Sequence, residues 1–336
     1  MGKRKAEDAD GGDPMPSDGA PTVGQQTSFI KNKVVRSMRY QKLKHEKNKK
    51  KKAERKKREK ELARAEDLGL EPPLKKVPKT IENTREADVT MVQPDDEEVA
   101  AEEDQDEFAE HFKSVRPPKV LLTTCYKPSG LMFKFISEML EVLPAAVYYK
   151  RQGFPLKKIV EYAKNREFTD LMVFNEDRKN INGMLLIHLP DGPTAQFRLS
   201  NLVLSKDIKG HGRASTHKPE LILNNFDTRL GHRVGRMFAS LFSQDPNFRG
   251  RRAVTFHNQR DFIFFRHHRY IFEEKDQKER GKKEKSKVVK ARLQELGPRF
   301  SLRLVSLQKG TFDSKGGEFE WVHKPDMDTS RRKFHL

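Results

Sequence analysis

Arg229, Arg233 and Arg236 recur at roughly helical spacing with His232 beside them, so a helix there would carry three guanidiniums along one face. Arginine grips a phosphate through two parallel donors, and three on one face could hold successive phosphates of a nucleic acid. A solvated helix face accounts equally well for any one of them. Phe248-Arg249-Gly250-Arg251-Arg252 packs three more arginines round a glycine in what reads as a flexible loop. Neither a core nor a helix cap explains that composition, which points to contact with RNA. Lys209-Gly210-His211-Gly212-Arg213-Ala214-Ser215 resembles a phosphate-cradling loop. It lacks the Gly-Lys-Ser/Thr ending and opens no clear helix, which argues against a nucleoside-triphosphate site and leaves a loop against RNA or a linker. His267 and His268 are adjacent, and neighbours on a strand point to opposite faces, so the pair cannot chelate one metal ion. Asp170, Asp177 and Asp207 sit near turns, but no carboxylate pair or nucleophile–base spacing surrounds them. No enzyme, cofactor or metal is expected.

Charge points the same way. The chain of 336 residues has a formal net charge of +19, and equal shares of it, 35%, are hydrophobic and charged. Such a chain cannot all fold, and its partner should be a polyanion. Nucleic acid is the first candidate; a membrane is the lesser one, because no stretch approaches the ~20 apolar residues of a spanning helix. Residues 1–18 hold no apolar run of the secretory kind. Cys125 is the single cysteine, which excludes an intramolecular disulfide and a multi-cysteine zinc site and fits a reducing compartment, cytosol or nucleus.

Residues 1–117 read as a disordered N-terminal region with two charged blocks. Residues 28–60 contain sixteen Lys/Arg against three Glu, a pattern of import signals and phosphate-binding arms and also of a solvated charged helix, two compatible readings because a basic helix can form on RNA. Residues 82–110 reverse the sign, with thirteen acids against Arg85 alone, and a block this dense is expected to repel itself and stay extended. It could shield the basic block, or simply aid solubility. Residues 111–336 hold 44 basic and 24 acidic side chains, so the folded body is itself basic.

That body alternates strand and helix. A buried strand is expected at 120–124, a helix at 131–143 with Met132, Ile136, Leu140 and Leu143 in one stripe, a strand at 145–149 and a helix at 155–165. Strands follow at 170–174, 184–189 and 195–203. The device then recurs, with a strand at 220–226 and a helix at 228–242. At one constant offset residues 121–124 meet 222–225, Gly130 meets Gly231, Phe133 meets Val234, Ile136 meets Met237 and Leu140 meets Leu241. Two pseudo-repeated halves are therefore expected to pack into one α/β domain. Strands at 252–257, 261–266 and 268–273, a charged insertion at 274–290 and a strand–helix pattern at 293–309 complete it. Leu293, Leu296, Phe300, Leu302 and Leu304 are expected in its core.

Several of these strings carry a family resemblance. Leu121-Leu122-Thr123-Thr124 with Lys127-Pro128-Ser129, Tyr149-Lys150-Arg151, and the run from Pro219 to Phe226 followed by Thr228-Arg229-Leu230-Gly231 resemble the Brix domain. So do the stretch from Val254 to Tyr270 and the closing run from Gln294 to Leu304, over residues 118–309 in all, with 310–336 as a C-terminal tail. The resemblance implies two halves similar to anticodon-binding domains. It also implies a non-enzymatic nucleolar protein that binds precursor ribosomal RNA within the pre-60S particle, among other assembly factors. It makes the closing segment the family's RNA-binding stretch, here with Lys287, Lys290, Arg292, Arg299 and Arg303. A nuclear DNA- or chromatin-binding regulator is the alternative, although no zinc-finger, basic-zipper or helix-turn-helix signature is present.

Overall fold

The structure, a computed structural model, describes residues 22–67, 78, 80–86, 88–93, 96–113, 116–278, 285–313, 316–330 and 332–336. These fall into two units, Met1–Thr84 and Arg85–Leu336. No helix among the described residues is long and apolar enough to cross a membrane.

The first unit is helical. Helix α1 (Val23–Thr27) is capped by Thr22, and α2 (Lys33–Asp67) takes up the basic block. Lys, Arg, Glu and Ala are good helix formers, and the pairs Arg55–Glu59 at 3.2 Å and Lys57–Glu61 at 4.0 Å lie one turn apart. The solvated charged helix is thus the form this block adopts. Most of residues 1–26, read as disordered, lie outside the described residues.

The second unit opens on the acidic block, which is not extended. It forms α3 (Glu97–Glu103) and α4 (Ala109–Phe112). Two apolar anchors explain the difference: Val99 is 6% exposed and Phe108 is fully buried, its ring 4.6 Å from that of His188. Like charges repel only while no opposite surface receives them.

Next come β1 (Val120–Thr124), α5 (Gly130–Val142), β2 (Ala146–Tyr148), α6 (Leu156–Asn165), β3 (Asp170–Asp177), β4 (Asn180–His188) and β5 (Thr194–Val203). The second half runs β6 (Glu220–Asn224), α7 (Arg229–Ala239), β7 (Arg252–Gln259), β8 (Phe262–Lys278), β9 (Lys285–Glu295) and β10 (Arg299–Gln308), then β11 (Phe319–Val322). All join one sheet in the order β2-β1-β3-β4-β5-β10-β8-β7-β6, with β9 beside β8 and β11 beside β10.

Pairing directions show the repeat. β1 is parallel to β3 as β6 is to β7, and β3, β4 and β5 run antiparallel in turn as β7, β8 and β10 do. The halves meet at the antiparallel β5–β10 pair, with Leu199 opposite Leu302 and Phe197 opposite Leu304. Helices α5 and α7 share one core on one face, in which Phe135, Ile136, Met237, Phe238, Phe265 and Phe300 are all buried. The other face of the first half is covered by α6, whose Ile159, Val160 and Ala163 lie on Leu121, Leu171 and Val173.

The constant offset needs a correction. On the strands it holds: Leu122 enters the shared core beneath α5, and Leu223 points to the same side, toward Gly235 of α7. On the helices burial slips by one residue: Met132, Phe135, Ile136 and Met139 occupy the places of Val234, Met237, Phe238 and Leu241, while Phe133 is 42% exposed. Burial decides equivalence, because a one-residue shift turns a helical side chain through ~100°. Three further expectations change. The expected strands at 261–266 and 268–273 are one strand, β8, which runs into the insertion as far as Lys278 and pairs antiparallel with β9 from Lys285. Residues 293–309 hold two strands and no helix, and Leu293 is 65% exposed where a core residue was expected. Within the 310–336 tail, β11 pairs with β10 and Leu336 is only 1% exposed.

Candidate nucleic-acid interface

Helix α7 is positioned by its amphipathic pattern. Val234, Met237 and Phe238 enter the core, which turns Arg229, His232, Arg233 and Arg236 outward together, as their spacing predicts. That face is occupied. Residues 90–92 run beside 227–229, joined by a bridge between Met91 and Thr228, and bring α3 onto α7. Arg229 donates to Glu98 at 3.2 Å, and His232 lies 2.9 Å from a Glu103 carboxylate oxygen. Arg233 reaches Glu107 at 3.1 Å and Glu320 of β11 at 2.7 Å. Arg236 makes a two-bond fork to Asp106, both at 2.7 Å, donates to the Glu103 carbonyl at 2.6 Å, and stacks on Phe112 at 4.2 Å. Burial works to lower the Arg233 pKa, but the carboxylates of Glu320 and Glu107 outweigh it and raise it. Sequence reasoning grouped these arginines and missed their partners; Val99, Phe108 and Phe112, apolar residues in an acidic run, were the available signal.

The arginine loop divides. Residues Phe248–Gly250 form a single 3-10 turn, Asn247 caps it, and Arg249 and Arg251 are exposed with no ion-pair partner among the described residues. Arg252 is the opposite, 1% exposed, and its assignment as an RNA contact is corrected. Its guanidinium donates to the carbonyls of Ser215 at 2.5 Å, His217 at 2.6 Å and Glu141 at 2.6 Å, and its Nε to His267 Nε2 at 3.2 Å. Strand alternation forces this, because Arg252 opens β7 facing the core as Val254 and Phe256 do. The 209–215 loop is held at Gly212, whose N–H donates to the Glu295 carbonyl at 2.9 Å and where a Cβ would meet Leu296 at 2.8 Å, while Lys209, Gly210, His211 and Arg213 are exposed.

His267 must accept from Arg252 at Nε2 and so donates from Nδ1 to the Gly297 carbonyl, 2.8 Å away. Burial, then the Arg252 charge, hold its pKa down to about 4 against the Gly297 bond. The unfolded chain, at about 6.5, takes up the proton first, so this residue stabilises the fold fully above about pH 6.5. The contribution drains as pH falls and is gone once the folded pKa is passed, up to about 3 kcal/mol in all. Urea unfolding between pH 7 and 4 should show His267→Gln, which does not titrate, losing correspondingly less stability than wild type. Equal losses would contradict it.

On the β9–β10 side the basic residues are mostly paired. Lys287 lies on β9, Lys290 is exposed, and Arg292 pairs with Glu273 at 2.7 Å. Arg299 pairs with Glu295 at 3.1 Å. Arg303 pairs with Asp328 at 2.5 Å and lies over the Phe262 ring at 5.4 Å. Arg303 and Phe262 are cross-strand neighbours, and His323 also lies 3.0 Å from the Arg303 guanidinium.

Asp170 is 1% exposed and accepts from Ser240 at 3.1 Å and from Thr169, while His188 Nδ1 sits 2.7 Å from it. The Ser240 hydroxyl is spent on Asp170 and the Met237 carbonyl and makes no nucleophile–base pair with His188. Among the described residues no group of three or more His, Cys, Asp or Glu could hold a metal ion.

A paired-half α/β sheet with a basic body is the architecture the sequence strings implied, and the Brix domain model matches residues 126–306. The chain belongs to the Brix domain family. Over 273 residues it is 56% identical to ribosome production factor 1 of Xenopus laevis, covering 81% of this chain and 76% of that one. Over 265 residues it is 44% identical to ribosome production factor 1 of Saccharomyces cerevisiae, covering 78% and 82%. A probable ribosomal biogenesis protein from Aeropyrum pernix aligns at a TM-score of 0.40 with 15% identity, over 55% of this chain and 96% of that one.

Proposed function

We infer that this chain is a ribosome biogenesis factor that binds precursor ribosomal RNA in the nucleolus and serves maturation of the large subunit without catalysis. The observation that carries the reading is 56% identity, over four-fifths of the chain, to a protein named ribosome production factor 1. Its partners are then the pre-60S particle and the other assembly factors there. The excess of basic side chains in residues 111–336 supports RNA as the direct ligand. Arg249, Arg251 and Lys290 are the assigned cations that stand exposed and unpaired among the described residues. Crosslinking the protein to RNA in cells and sequencing the fragments tests the reading. Large-subunit precursor from a nucleolar fraction is expected; genomic DNA, or no nucleic acid, overturns it.

Arginines in a turn should grip phosphate and ignore sequence. Arg249→Gln with Arg251→Gln is expected to weaken binding to unrelated RNAs alike. The slope of log affinity against log salt should fall by up to ~0.7–0.9 for each phosphate no longer held, with thermal stability unchanged. A salt titration of both proteins with an unchanged slope would take this turn off the interface.

A further inference from the structure

A second group of cations lies on the far side of the first half, and it is built differently from the α7 face. Between the ends of β1 and β2 and the helix α6 is a cleft of about 460 Å³, within the ~300–1,000 Å³ usual for ligand pockets. Leu121, Ile159 and Phe168 form its buried floor. Tyr149, Phe154 and Tyr162 stand round it 46%, 42% and 50% exposed, three large rings gathered at one opening. The rings are braced edge to face: Phe154 against Tyr162 at 5.9 Å and 89°, Tyr149 against Phe168 at 6.4 Å and 86°. The turn that carries Phe154 is closed by its N–H donating to the Arg151 carbonyl, and by Arg151 Nε donating back to the Phe154 carbonyl, both at 3.1 Å. The site is therefore formed before a ligand arrives.

Its charge selects the ligand. Lys150, Arg151 and Arg166 line the cleft, no carboxylate does, and none of the three has an ion-pair partner among the described residues. Arg166 lies over the Tyr149 ring at 5.5 Å, leaving its donor edge open. On α7 every arginine already has a carboxylate; here, among the described residues, the three cations have none, and the half-exposed rings of Phe154 and Tyr162 carry no cation. A ligand satisfying both needs an anionic group linked to a flat π-system. The side-chain amides of Gln152 and Asn165, at the same rim, offer donors and acceptors to the edge of such a ring.

We propose that this cleft binds an unpaired nucleotide of RNA, its base stacked on Tyr162, Phe154 or Tyr149 and its phosphate held by Lys150, Arg151 and Arg166. The proposal rests on the RNA-binding reading above and adds to it a place where a single-stranded or bulged segment is gripped by stacking. Because stacking is neutral, it separates from the phosphate contacts in a salt titration.

The test uses the full chain and a short single-stranded RNA oligonucleotide, with a duplex RNA of the same sequence and polyglutamate as competitors. Phe154→Ala with Tyr162→Ala is expected to weaken binding of the single strand by about ten- to a hundredfold at unchanged salt slope, and of the duplex hardly at all. Tyr162→Leu keeps the apolar bulk should the double change disturb α6, and is expected to lose about tenfold. Ultraviolet crosslinking of wild type should attach the oligonucleotide to the peptide spanning 149–166. Unchanged affinity in folded ring variants, with crosslinks elsewhere, overturns the cleft while leaving RNA binding standing. Displacement by polyglutamate as effective as by RNA would make it an acidic-peptide site, and a wild type that binds no RNA overturns both readings.

Discussion

Arg252→Ala is expected to cost the fold on the order of 3–5 kcal/mol, while Arg251→Ala, one residue away, stays within about 0.5. The difference is burial: Arg252 is 1% exposed and Arg251 is at the surface. Removing the guanidinium leaves the carbonyls of Ser215, His217 and Glu141 without their donor and His267 Nε2 without its own. Each such buried group costs about 1–3 kcal/mol, partly recovered as the site relaxes. Arg252→Lys is expected to fare little better, since a single ammonium on a flexible stem cannot reproduce a planar fork aimed at four acceptors. These acceptors come from α5, the 209–219 connection and β8, so their loss loosens the join between halves. Urea unfolding of the three variants measures it. A drop in RNA affinity with stability intact would restore Arg252 to the RNA-binding set.

Arg236→Ala should act on the acidic segment and not on RNA. Asp106 and the Glu103 carbonyl both hang on this guanidinium, and its side chain is only 15% exposed, so solvent screens the pair little. With the stacking on Phe112 removed as well, docking of residues 97–112 is expected to weaken by roughly 2–4 kcal/mol. Amide exchange in that segment should then speed up by two orders of magnitude or more, while β5 and β10 keep their protection. Phe108 in the core sets how much of the segment stays attached. Affinity for RNA is expected not to fall, because Arg236 is already engaged and the change releases Arg229 and Arg233 from neighbouring acids. A fall in affinity with a lower salt slope, and with exchange unchanged, would return Arg236 to the phosphate-binding set.

Local pattern carried much of this protein. The apolar stripe of 131–143, the β-branched run at 120–124 and the recurrence of strand then helix near 220 determined an α/β body of two halves, because periods of 2 and 3.6 are local and survive without a partner. The strings from Leu121 to Leu304 determined the family. Spacing also put Arg229, Arg233 and Arg236 on one face. Only the tertiary structure decided what meets that face, since an ion pair between residues 103 and 236 is a matter of chain path and not of composition. The same holds for Arg252: three arginines round a glycine look alike in sequence, and the strand that begins at the third turns it inward. The repeat offset slipped by one residue because any amphipathic helix aligns with another, and burial alone shows which residues correspond. The cleft beside α6 was equally out of reach. Its rings and cations all lie within residues 149–168, but they become one site only when β1, β2 and α6 pack together over Leu121.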